Sequence, residues 1–155
     1  MSTLAAALRP VPVPRANLLR RDPAAQAFLL LRITFTVAPI LFGIDKFANV
    51  LTDDWTRYLS SEYNSLMPGN AADAMHVVGV VEVVAGVTVL VSPRFGGYLV
   101  AAWLGGIIVD LLLVGGYGDI ALRDFGLMLG ALALTRLASA FAGPVRPSGA
   151  AGRAS

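Results

Sequence analysis

Residues 79–90 read GVVEVVAGVTVL, a run of valines and small residues around one carboxylate, Glu82, inside a longer apolar stretch from Ala74 to Val91. Wound as a helix, that stretch approaches the roughly 20 apolar residues that a bilayer crossing takes. It puts Glu82 near mid-depth, where an unpaired charge costs about 3 kcal/mol or more. The rest of the chain must therefore supply something for Glu82 to face. The run is continuous and shows no alternation of period two, which rules out a closed barrel.

The whole composition points the same way. The chain has 155 residues, 56% of them hydrophobic and only 14% charged. Its mean hydropathy is +0.70, whereas a soluble domain carries about a quarter charged residues. Apolar blocks alternate with short polar ones, the pattern of an all-α, multi-pass membrane protein. Four spans are expected, at Ala25–Leu51, Ala72–Val91, Gly97–Val114 and Ile120–Phe141. Residues 1–24 read as a flexible cytoplasmic arm and 143–155 as a disordered cytoplasmic tail, flanking one membrane domain over 25–142.

Arginine placement sets the orientation. Arg9, Arg15, Arg20 and Arg21 precede the first span, Arg94 separates the second and third, and Arg136, Arg146 and Arg153 close the chain. The opposite side offers only Arg57 and Arg123, among several carboxylates. The positive-inside rule then puts both termini in the cytoplasm of a cell-membrane protein. The outer loop TDDWTRYLSSEYNSLMPGN, residues 52–70, reads as a short helix capped by Thr52, with Trp55, Tyr58, Leu59 and Leu66 on one side. Such a helix is either interfacial, with its aromatics at headgroup level, or a lid over an outward-facing pocket.

Each span carries a stripe of small residues with one or two ionisable ones. In the first, Arg32, Thr36, Pro39, Gly43 and Lys46 share a face, and Pro39 should kink the helix. The second aligns Gly79, Glu82 and Gly86, the third Trp103, Gly106 and Asp110, and the fourth Arg123, Gly126, Gly130 and Ala133. Small residues let helices approach closely in lipid, and polar side chains there avoid hydrocarbon. The stripes should converge on a common axis. Arg32, Lys46, Glu82 and Asp110 form the candidate polar cluster, and Glu82 could be met by Arg32 from below, by Lys46 from above, or by another polar group or water. Asp45, His76, Arg123 and Asp124 are peripheral candidates, Asp45 as a solvated or capping group and His76 as an interfacial residue.

Other chemistries are excluded by what the chain lacks. With no cysteine there are no disulfides, iron–sulfur clusters or zinc–thiolate sites, and one histidine cannot give bis-histidine haem ligation. No GxSxG, P-loop or HExxH motif is present. A net charge of +2 with no basic stripe gives no case for nucleic acid.

Three segments nonetheless resemble a known family. LRITFTVAPILFGIDKF (31–47), GVVEVVAGVTVLVSPRFGG (79–97) and RDFGLMLGALAL (123–134) are similar to the first, second and fourth helices of the DoxX-like four-helix integral membrane proteins. That resemblance implies a four-span bundle and a link to thiosulfate:quinone oxidoreduction, to oxidative-stress complexes or to accessory roles beside redox enzymes. Arg32, Gly43, Lys46, Glu82 and Gly86 match its motifs, whereas Asp110 lies a turn earlier than the polar residue that ends the third helix in many relatives.

Three functions are compatible with these residues. The first in rank is an accessory or scaffold subunit that docks a membrane-bound oxidoreductase or a second copy of itself. The second is a small oxidoreductase subunit holding a quinone or sulfur species in the outer half of the bundle; no cofactor site is otherwise identifiable. The third is a proton or small-solute transporter using Glu82.

Overall fold

The computed structural model describes residues 22–66 and 69–141. The expected N-terminal arm, apart from its last residues, and the C-terminal tail lie outside the described residues. Five α-helices and one 3-10 turn make up the fold, with no strand among the described residues. Helix α1 covers Pro23–Ala48, α2 Ser61–Leu66, α3 Ala71–Val91, α4 Pro93–Val114 and α5 Gly118–Phe141, and the 3-10 turn is Trp55–Tyr58.

Local signals set most of the boundaries. Asp22 caps α1 by accepting from the Ala24 N–H at 2.9 Å, and Pro23 occupies the first turn, where its missing N–H does no harm. Helix α1 continues through Pro39 and ends at Asn49, whose φ of 51° is the left-handed stop that asparagine tolerates. Asn70 and Asp73 form a reciprocal capping box on α3. Gly115 and Gly116, both at positive φ, turn the chain from α4 into α5.

Helices α1, α3 and α4 are each long and apolar enough to cross a membrane. Helix α5, the fourth expected span, has 24 residues but contains Asp119, Arg123, Asp124 and Arg136, and does not reach the same standard. The third expected span starts earlier than Gly97, because Pro93 opens α4 directly after a single connecting residue, Ser92.

The long helices pack as two antiparallel pairs, α1 on α3 and α4 on α5. Glycines permit the closest approaches. A Cβ on Gly43 would stand 2.5 Å from the Gly79 carbonyl oxygen, and one on Gly86 2.7 Å from that of Thr36. In the second pair a Cβ on Gly97 would collide with the Thr135 hydroxyl. A Cβ on Gly96 would meet Val89 Cα at 2.5 Å, so the corner at Ser92 closes only with glycine there. Near this corner all four helices meet in a packed core that includes Phe28, Phe35, Val89, Val100, Leu134 and Ala138.

Two expectations need correction. The loop does not form one helix capped by Thr52. Asp54 caps the 3-10 turn instead, accepting from both the N–H (2.9 Å) and the hydroxyl (2.6 Å) of Thr56, α2 is separate, and Leu66 is 80% exposed. The buried face of α5 is Ala121, Ala131, Leu134, Thr135 and Ala138 rather than the stripe through Arg123, Gly126 and Ala133, all three of which are exposed. Large core residues set the phase of this helix, and Gly126 has open space around it.

Candidate functional site

At the end opposite the Ser92 corner the two helix pairs separate around a cavity of about 520 Å³. Its walls are mostly apolar and aromatic, with Lys46, Glu82, Asp110, Arg123 and Asp124 among them. This size and makeup suit a small organic molecule.

Lys46 Nζ and Glu82 Oε2 lie 2.7 Å apart in the cavity wall, with side chains 5% and 11% exposed, and they form the one ion pair among the described residues. Helix geometry explains the meeting. In an α-helix each Cα–Cβ bond leans toward the N-terminus. Because α1 and α3 run antiparallel, the Lys46 and Glu82 side chains lean toward one another along the bundle. The contact of Gly43 with Gly79 brings the two backbones close enough for the pair to form. Lys46 Nζ also sits 4.1 Å from the centroid of the Trp55 ring, a cation–π contact. The Trp103 indole N–H, also in the cavity wall, is buried without a hydrogen-bond partner. Asp124 lines the same cavity.

The loop covers the cavity. Trp55, Tyr58, Leu59 and Tyr63 are in its wall, so this segment has the geometry of a lid. Two buried carboxylates fasten it. Asp45 accepts from the Val50 and Leu51 N–H groups at 2.9 Å and from Trp55 Nε1 at 3.0 Å. Asp110 accepts from the Ser60 N–H at 2.9 Å, and the Tyr63 hydroxyl donates to the Gly106 carbonyl at 3.2 Å. A chain of ring contacts, Phe42–Trp55–Tyr58–Tyr117, carries the cover from α1 to the α4–α5 turn.

The expected residues therefore divide. Lys46, Glu82 and Asp110 come together at the cavity, joined by Arg123 and Asp124 in its wall. Arg32 does not join them: its Nη2 donates to the Leu90 carbonyl at 2.6 Å, near the Ser92 corner, where it satisfies an end-of-helix acceptor. Asp45 is 5% exposed and binds the loop that folds back on it, through Val50, Leu51 and Trp55, rather than being solvated or capping a helix. His76 is exposed and stacks on Phe47 with ring centroids 4.8 Å apart. Sequence reasoning placed Trp55 on a candidate lid and Trp103 on an inward stripe with Asp110, but did not single out Tyr63. The available signal for Tyr63 was its place in the loop read as a candidate lid, eight residues after Trp55. Among the described residues no group of three or more histidine or carboxylate side chains could hold a metal ion. Compared with known protein families, curated proteins and solved structures, the chain finds no match.

Proposed function

We propose that this chain is a DoxX-like protein of the cell membrane with four crossing helices. In this reading it serves a membrane redox or stress-response complex as an accessory subunit that binds a quinone-type molecule. The observation that carries the reading is the cavity. It has aromatic walls, a buried Lys46–Glu82 pair and an unsatisfied Trp103 N–H that a carbonyl oxygen would satisfy.

The distribution of side chains supports a membrane location. Leu30, Ile33, Val37, Leu41, Val80, Val84 and Leu112 are all exposed, while Lys46, Glu82 and Asp110 are buried. That polarity is the inverse of a soluble protein's and suits lipid as the surrounding solvent. Helix α5 shares it through Leu122, Phe125 and Leu129, which favours counting it as a fourth crossing despite its charges. The arginine bias puts both termini in the cytoplasm and the cavity in the outer half.

The geometry moves a ligand-binding role ahead of a purely scaffolding one, because a scaffold has no use for a lined cavity. The transporter reading gains less, since the packed core continues the bundle on the inner side of Glu82.

The test uses the two tryptophans, both in the cavity wall. Intrinsic fluorescence of the purified protein in mild detergent should be quenched saturably by a decyl-tailed benzoquinone. A Trp103→Phe variant should bind at least fivefold more weakly. Quenching that rises linearly without saturation would remove the binding role. Purification without a stoichiometric oxidoreductase partner would remove the accessory role.

A further inference from the structure

The cavity is walled by five segments, and they do not close it equally. Its lining residues on α3 and α4, such as Met75, Glu82, Trp103 and Leu111, are buried or half-buried, and so are those of the covering loop. The exposed members of the wall are Phe42 (46%), Leu127 (41%) and Arg123, and all three belong to α1 and α5. Helices α1 and α5 touch near the Ser92 corner, where the Phe35 ring lies over Gly130 and Phe28 packs on Phe141 at 5.3 Å. Toward the loop they part, and a Cβ on Gly126 would find no atom within 4 Å. The side of the cavity that faces water in the orientation above is roofed by the ring chain from Phe42 to Tyr117. The side that is open faces the apolar surroundings.

We propose that the gap between α1 and α5 is a lateral portal through which the cavity takes a lipid-dissolved molecule, an aromatic head on an apolar tail. The head lies against Trp55, Trp103 and the Lys46–Glu82 pair, and the tail stays in the gap between Phe42 and Leu127. Two observations select this occupant over a water-borne one. Lys46, Glu82 and Asp110 are buried in the cavity wall, whereas Phe42 and Leu127 flank the opening, with Arg123 at its lip. A water-soluble ligand would have to pass the loop, which Asp45 and Asp110 hold down through buried hydrogen bonds. Arg123 at the lip is placed to meet the headgroup level rather than hydrocarbon. This assignment rests on the ligand-binding reading given above and adds the route and the tail.

The chain has no cysteine, so a single engineered pair can be linked cleanly. Phe42→Cys with Leu127→Cys, joined by a flexible bis-maleimide spacer in lipid nanodiscs, closes the gap, and the unlinked double variant controls for the lost Phe42–Trp55 ring contact. Stopped-flow tryptophan quenching then compares a decyl-tailed dimethoxy-benzoquinone with its tail-less ring. Linking should slow quenching by the tailed probe at least tenfold relative to the unlinked double variant, and slow the tail-less ring, which leaves nothing in the gap, at least threefold less. An unchanged rate for the tailed probe overturns the portal. Equal slowing of both probes overturns the placement of the tail. If the unlinked protein binds neither probe saturably, the ligand-binding reading itself fails and the portal falls with it, an outcome distinct from the other two.

Discussion

Replacing Lys46 by Met removes one half of the buried pair and leaves Glu82 buried in the cavity wall without its partner. At 2.7 Å and an effective dielectric of about 20, the pair's attraction is about 6 kcal/mol. That gain is offset by several kcal/mol of desolvation for each ion, so the intact pair contributes little net stability. Removing one partner keeps the desolvation of the other and loses the attraction, a loss of about 3–5 kcal/mol. The cation–π contact with Trp55 adds about 1 kcal/mol. Removing both, as in Lys46→Met with Glu82→Leu, should return stability to within about 1 kcal/mol of the parent. Unfolding by SDS titration in mixed micelles, followed by tryptophan fluorescence, gives all four corners of the double-mutant cycle. The coupling energy should be about 3 kcal/mol or more. A Lys46→Met loss below about 1 kcal/mol, or a double variant as unstable as the two single losses combined, would show that the pair is solvated and refute the reasoning.

Gly43→Val should lower stability by about 3 kcal/mol, because its Cβ would meet the Gly79 carbonyl at 2.5 Å; Gly126→Val, in open space, should fall within about 0.5 kcal/mol of the parent in the same titration. Asp45→Ala leaves three donors without their acceptor and should make the segment around Arg57 at least tenfold more sensitive to trypsin. Asp54 accepts from the Thr56 hydroxyl and then its N–H, which holds its carboxyl below the ordinary aspartate value of about 3.9. A depressed pKa stabilises the cap above that value and is lost as pH falls through the lower, folded value. Hydrogen exchange at the Thr56 amide, corrected for its intrinsic pH dependence, should therefore lose protection below about pH 4, and Asp54→Asn should remove that dependence.

The apolar blocks made the long helices legible, and their ends were set by readable signals such as Asn70 with Asp73 and the Gly115–Gly116 turn. The inward placement of Lys46 and Glu82 followed from spacing along each helix. Their partnership did not, because spacing within a helix gives a face and says nothing of its register against a neighbour. That register is set here by Gly43 on Gly79, a close approach visible only once the helices are docked. Arg32 shares the stripe of Lys46, but fourteen residues separate them, about 21 Å along the axis, so it meets Leu90 instead. Helix α5 was misphased because small residues were taken to mark the buried side. Gly126 and Ala133 face outward, and Leu134 and Thr135 fill the interior. The fate of Asp45 was hidden because its donors arrive from a loop that folds back on it, a tertiary event with no local signature.

The corner at Ser92 gives the molecule an asymmetry of rigidity. One connecting residue and Gly96 clamp two helix pairs together at that end, where backbone touches backbone. At the other end the pairs are joined only by a folded-back strap and a few hydrogen bonds. Spreading of the far tips about the clamp, in the manner of a clothes-peg, is therefore the motion that the packing opposes least. Such a pivot would widen the chamber with small rotations while the packed end at Ser92 stays shut.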